Sequence, residues 1–149
     1  MFEWFGKVCY SPHTKIAAFA RYLKDGRIMA SRCDQCGYRS FPPRADCPEC
    51  LGGDFTFEEV GGAGRLLTFT RIDAAPAGFE DEAPFIVGVV DLEDTGRLLA
   101  WFGETVPEEE ISMGMPLQVV PRIFEETPEI KVYYSLERPG TSWVKGDSA

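Results

Sequence analysis

A single histidine, His13, stands among the 149 residues, and that scarcity removes most general-base chemistry from the chain. Nucleophilic catalysis needs a cysteine or serine with a base beside it. Cys9 lies four residues before His13, but Pro12 would sit inside any helix joining them, where it removes a hydrogen bond and clashes with the preceding turn. The two are read as buried filler and a helix-start histidine, not as a catalytic pair. Long apolar runs are missing as well. Glu3 and Lys7 interrupt Phe2, Trp4, Phe5 and Val8, so neither a signal peptide nor a membrane span is expected, and the expected compartment is the cytoplasm.

Bases are scarce in the larger part of the chain. Residues 77–130 carry thirteen acids against two bases, Arg97 and Arg122, whereas residues 1–50 carry eight bases against five acids. Nucleic-acid binding needs clustered Lys and Arg to displace counterions, and the C-terminal part offers the reverse. A phosphate-bearing small ligand could still be met by the basic N-terminal third. Gly61-Gly62-Ala63-Gly64 is no phosphate loop, because such loops open a helix and the next residues, "RLLTFT", read as a strand. It is read as a hinge. Glu108, Glu109 and Glu110 read as a solvated loop.

What is present begins with enough apolar material for one sizeable core: 44% hydrophobic residues and 13% aromatics. Four of the five cysteines form two C-x-x-C pairs, Cys33/Cys36 and Cys47/Cys50, with ten residues between them. In a reducing compartment such pairs hold a metal more often than they form disulfides. Each pair sets two thiolates at the tip of a tight turn, and two turns facing each other give the tetrahedral four-sulfur shell that zinc prefers, although the same sulfurs can hold a single redox iron. Such a shell is closed to water and substrate, which argues against metal catalysis.

Along the chain, residues 1–10 are dense in aromatics: Phe2, Trp4, Phe5 and Tyr10. Ser11-Pro12 then reads as a helix start, with Ile16, Phe19, Ala20 and Leu23 at helical spacing until Gly26. From Phe55 onward six runs read as strands: "FTFEEV", "GRLLTFTRI", "PFIVGVVDL", "RLLAWF", "MPLQVVPRI" and "IKVYYSL". Asp94-Thr95-Gly96 marks a hairpin, and Asp73–Pro84 a long acidic surface loop. Short strands at this spacing predict a small closed barrel or a sandwich. The expected organisation is an aromatic segment and docking helix (1–30), a cysteine ribbon (31–54), a barrel (55–137) and a loose tail (138–149) in which Trp143 is a candidate docking point.

The motifs "CDQCG", "PPR", "CPEC", "GAGRLLTFTRI", "PFIVGVVDL" and "MGMPLQVV", in this order, resemble the DUF35 family over about residues 12–136. The combination of the cysteine pairs with Pro42-Pro43-Arg44 and Gly114-Met115-Pro116 is more specific than the cysteines alone. Leu51 departs from the family pattern, in which the second knuckle usually continues with glycine. The resemblance implies a mainly β chain: an N-terminal helix and rubredoxin-like zinc ribbon followed by an OB-fold barrel. It also implies a non-catalytic accessory subunit of a thiolase or related acyl-CoA enzyme in a hetero-oligomer, with structural zinc at Cys33, Cys36, Cys47 and Cys50. Helix and ribbon would dock on the partner, and the barrel would help form the route for the coenzyme A arm.

Exposed aromatic clusters mark interfaces, so the partner contact is expected at Trp4, Phe5, Tyr10 and Phe19. Arg44 serves as a polar anchor, unless its guanidinium merely packs on Tyr38 or Phe41 or caps a carbonyl. An aromatic N-terminus also fits a degradative thiolase. Two rival readings are a nucleic-acid-binding ribbon/OB module, opposed by the charge distribution, and a rubredoxin-like electron carrier, which colour would reveal.

Overall fold

The computed structural model describes residues 14–124 and 131–142. The expected helix start at Ser11-Pro12 lies outside the described residues. Inside them, turns at Thr14–Ala17 lead into helix α1, Ala18–Lys24. Its spacing buries Phe19, Ala20 and Leu23 and turns Arg21 and Lys24 outward. Gly26, at φ +76°, stops it: the Gly26 N–H donates to the Leu23 carbonyl and the Arg27 N–H to the Tyr22 carbonyl. That is a Schellman closure, which needs a left-handed residue.

Strand β1 (Met29–Cys33) pairs antiparallel with β2 (Arg39–Ser40) on one side and β3 (Phe55–Glu59) on the other. β3 contains the run "FTFEE", which the sequence reading assigned to the barrel. Its five residues match Met29–Cys33 one for one, so the ribbon's sheet extends to Glu59.

The remaining strands are β4 (Ala63–Ile72), β5 (Phe85–Leu92), β6 (Gly96–Phe102), β7 (Pro116–Phe124) and β8 (Lys131–Glu137). They close a barrel in the order β4-β5-β6-β8-β7, all pairs antiparallel except β6 with β8. Alternation sends Leu66, Val90, Leu98, Ala100, Val119 and Leu136 inward and leaves Leu99 62% exposed. The chain is thus mainly β, with one described helix, a ribbon and an OB-like five-stranded barrel. Among the described residues no helix is long and apolar enough to cross a membrane.

Helix, ribbon and barrel meet at three rings. Phe19 of α1 stands edge-on to Phe41 of the ribbon (5.8 Å between centroids, 71° between planes), and both contact Tyr134 of β8, at 6.3 and 5.4 Å. Phe19 is 5% and Phe41 2% exposed. Rings at these distances and tilts add to the area that they bury, and one continuous apolar core runs through all three parts.

Candidate functional site

The two C-x-x-C turns are copies of one another. Cys33 N–H donates to the Tyr38 carbonyl (2.8 Å) and Gly37 N–H to the Cys33 carbonyl (2.9 Å); fourteen residues on, Cys47 N–H donates to Gly52 and Leu51 N–H to Cys47, both at 2.9 Å. Equivalent positions Gly37 and Leu51 both take the left-handed conformation, at φ +78° and +60°. The turns bring the four sulfurs within 4.8 Å of one another, with Cys33–Cys50 and Cys36–Cys47 at 3.5 Å. A disulfide would need about 2.05 Å. A tetrahedron of Zn–S bonds of about 2.3 Å has edges of about 3.8 Å, so this all-sulfur donor set fits a zinc ion.

The electrostatics agree. Backbone N–H groups of Cys36 and Gln35 bring the Cys33 thiol down to about 7. The Tyr38 N–H also favours a thiolate at Cys36, yet the Cys47 thiol, burial and the other two sulfurs outweigh it and push that thiol up to about 12. Thiols this close cannot all ionise without a cation among them. Lys15 ties the start of the helical region to this cluster, its Nζ donating to the Gly53 carbonyl at 2.8 Å.

Three of the bases expected to make the N-terminal third basic are faced by carboxylates of β3. Glu59 pairs with Arg27 (2.9 Å), and Glu58 faces Arg39 (3.2 Å) and Arg32 (3.6 Å). Arg44 differs. Its backbone N–H donates to Ser31 Oγ at 2.9 Å, which fixes the main chain. Its exposed side chain makes no ion pair or ring contact with the described residues. It shares a shallow depression on the ribbon with Tyr38, Pro48 and Phe55.

A second site lies on the barrel. A cleft of about 710 Å³ runs between the Asp73–Pro84 loop and the ends of β6, β7 and β8. Its floor holds Glu137, fully buried. One carboxylate oxygen accepts from the Arg122 guanidinium (2.6 Å) and the Ser135 hydroxyl (2.8 Å), the other from the Thr105 N–H (3.0 Å) and the Thr105 hydroxyl. Burial alone would raise this carboxyl, but the bonds from Thr105, Arg122 and Ser135 hold it below the usual carboxylate range. Gly103 makes the room, since a Cβ there would overlap the Glu137 carboxylate. On the cleft wall Phe85 stacks on Trp101 (4.4 Å, 20°), and Phe79 meets Trp101 edge-on at 6.1 Å. With both carboxylate oxygens accepting hydrogen bonds and its basicity depressed, Glu137 is a poor general base.

Comparison with known proteins also finds a ribbon followed by a barrel domain, with the boundary drawn inside β3. Domain profiles of the ChsH2 rubredoxin-like zinc ribbon and the ChsH2 C-terminal OB-fold match residues 21–56 and 57–122. A "DUF35 domain-containing scaffold protein" of Methanocaldococcus jannaschii is 32% identical over 109 residues, 71% of this chain and 76% of that one. The chain belongs to the DUF35 family. Another relative, "Benzoylsuccinyl-CoA thiolase subunit BbsA" of Thauera aromatica, is 32% identical over 79 residues, 51% of this chain and 54% of that one. Among solved structures, the "Ltp2-ChsH2(DUF35) aldolase" superposes with a TM-score of 0.64 at 25% identity, covering 82% of this chain and 92% of that chain.

In this DUF35 protein the four cysteines come together as their spacing implied. The other expected site residues do not gather in one place. Phe19 faces the core and joins helix, ribbon and barrel, which leaves it little surface to offer a partner. Arg44 is on the surface, whereas Trp4, Phe5 and Tyr10, like Cys9, His13 and Trp143, lie outside the described residues. Sequence reading missed the cleft network of Gly103, Thr105, Arg122, Ser135 and Glu137. The one local hint was a glutamate, Glu137, directly after the alternating run of β8.

Proposed function

We propose that this DUF35 protein is a non-catalytic accessory subunit of an acyl-CoA thiolase complex. It docks on the larger enzyme and helps to shape the site for coenzyme A or its acyl thioester. The observation that carries the reading is chemical: among the described residues every cysteine belongs to the four-sulfur cluster and there is no histidine. Thiolysis needs an activated cysteine to take the acyl group and an acid–base residue for the thiol, and a partner must supply them. A scaffold protein, a thiolase subunit and an aldolase component among the relatives support the same role. Structural zinc at Cys33, Cys36, Cys47 and Cys50 holds the ribbon in shape. The partner contact lies on Trp4, Phe5 and Tyr10, with Arg44 as its polar anchor. Arg44 is also the cation placed to meet a coenzyme A phosphate, and the acyl chain in the BbsA relative's name, benzoylsuccinyl, is one candidate cargo.

Co-purification from the native host, with identification of what binds, tests this. A larger acyl-CoA enzyme is the expected companion, and Trp4→Ala with Phe5→Ala removes it while leaving the isolated subunit's Tm within a few degrees. Cleavage of a 3-oxoacyl-CoA by the isolated chain would overturn the reading.

A further inference from the structure

An antiparallel strand with one face on a core and the other in water alternates apolar with polar residues. β5 does not. Its inward positions Gly88, Val90 and Leu92 are buried, and its outward positions Phe85, Val87 and Val89 are apolar too, though partly exposed. The ladders carry this apolar band across three strands. Val89 lies opposite Thr68 of β4 and Leu99 of β6, and Val87 lies opposite Thr70 and Trp101. The bulge in β4 sets Leu67 beside Thr68. Leu67 is 39% and Leu99 62% exposed, so they belong to one strip across the sheet and are not scattered single side chains. The chain covers one end of the band, where Phe79 of the Asp73–Pro84 loop stands edge-on to Trp101. The other end, at Leu99, stays open to solvent. Polar residues return in the next row, where Asp91 lies opposite Arg65 and Arg97 and all three are exposed.

We infer that the outer face of β4, β5 and β6 docks the partner enzyme, through an apolar ridge on that enzyme edged by carboxylates. The inference rests on the accessory-subunit reading for what the partner is, and it gives the barrel a contact of its own in that complex. The outside of a barrel is convex, which suits a protein surface, whereas small ligands bind in concave sites. The row in which Arg65 and Arg97 flank Asp91 sets the chemistry of the edge. Within residues 77–130 the only bases are Arg97 and Arg122, and Arg122 is held by Glu137 at 2.6 Å. Arg97 therefore puts positive charge on this face of an otherwise acidic segment. Arg65 is steadied beside it, donating to the Gly114 carbonyl at 3.2 Å. Carboxylates on the partner match these two cations and fix the register, while the ridge supplies the apolar burial. A second copy is disfavoured, because each carries a net charge of -9 and the two repel. Anionic membranes are repelled in the same way.

The test uses the full zinc-loaded chain and the enzyme that co-purifies with it from the native host, identified by mass. Methyl signals of Leu99 and Val89 are followed by nuclear magnetic resonance as that enzyme is titrated. Both are expected to shift or broaden. Leu99→Thr keeps strand propensity at an exposed position, so it should weaken binding about tenfold and leave Tm within a few degrees. Arg97→Glu should weaken binding at low salt and less so at high salt. Silent methyls, or unchanged affinity in either variant, would overturn the inference. So would a native chain that sediments as a dimer and becomes a monomer on Leu99→Thr, which makes a second copy the occupant. Methyl shifts with phosphatidylglycerol vesicles would do the same by making a membrane the occupant. Capture of an acyl-CoA enzyme that leaves this face silent defeats the inference alone. A companion of other chemistry that engages Leu99 and Val89 defeats the accessory-subunit reading and leaves the docking face in place, and a chain with no companion defeats both.

Discussion

Residues 14–62 carry seven acids and seven bases, while residues 63–142 carry fifteen and six, and the two parts also differ in what holds them together. The ribbon has strands of five, two and five residues, too short to enclose a core, and its paired Arg and Glu side chains are exposed enough to contribute little each. Its closure falls to four sulfurs. The barrel has five strands of seven to ten residues around a Leu/Val interior, sufficient without metal, and an ion pair between Arg122 and the fully buried Glu137. A part that is stapled can keep its charges balanced. A part that folds by packing can carry surplus charge on its surface.

The largest effect that could break this comparison comes from the metal. Structural zinc is worth about 10 kcal/mol or more in small zinc-binding peptides, so Cys47→Ser, or a strong chelator, is expected to release the ion and unfold β1–β3. The barrel's amide signals should persist, with disturbance confined to Tyr134, where Phe19 and Phe41 pack. Metal analysis alongside amide spectra checks this. A barrel that melts together with the ribbon would show that the two are one cooperative unit.

Next in size is the barrel's own ion pair. Arg122→Met strands the fully buried Glu137 carboxylate, and breaking a buried pair from one side costs about 3–5 kcal/mol. Thermal unfolding should register it in the barrel while zinc content stays unchanged. The pH dependence has a definite sign. Glu137 is held below its ordinary range in the folded state, so its contribution is complete above the unfolded value near about 4.3 and is lost as pH falls through the lower folded value. Glu137→Gln should flatten the loss of stability on acidification in that window. An unchanged acid slope would show that other carboxylates govern it.

How much of this was legible beforehand follows from how local each feature is. Cys33, Cys36, Cys47 and Cys50 announce a metal site because each pair is bridged by two residues and the turn does the positioning. Leu98, Ala100 and Val132, Tyr134, Leu136 announce barrel strands by alternation. β3 is misplaced because "FTFEE" has the pattern of any strand, and its partner β1 lies far back in the chain, from Cys33 opposite Phe55 to Met29 opposite Glu59. The N-terminal third looks basic because the count stops at residue 50 and leaves out Glu58 and Glu59, which β3 brings against Arg27, Arg32 and Arg39. The cleft network was illegible for a stronger reason. Thr105 and Glu137 are 32 residues apart and meet only because β6 and β8 run parallel for two residue pairs, Trp101 with Ser135 and Phe102 with Leu136.

The smallest effect separates the two knuckles themselves. Leu51 sits at φ +60° and 83% exposed, where its side chain gains little from the fold and its Cβ crowds the following carbonyl. A left-handed L-residue costs about 1–2 kcal/mol, and glycine gives back about 0.5–1 kcal/mol of that in lost chain entropy. Leu51→Gly should therefore stabilise the ribbon by about 0.5–1 kcal/mol, with Leu51→Ala close to neutral because the strain remains. Gly37→Ala is the mirror experiment. Its φ is +78° and nothing lies within 4 Å of the added Cβ, so the expected loss of about 1 kcal/mol is conformational alone. Chelator competition reads all three variants, since a stabler ribbon gives up its metal at a higher chelator concentration. If Leu51→Gly and Leu51→Ala shift that midpoint equally, conformational strain at the second knuckle is not what distinguishes it from the first. If either variant moves the barrel's unfolding midpoint as well, the separation of a metal-held ribbon from a packing-held barrel fails at its most local test.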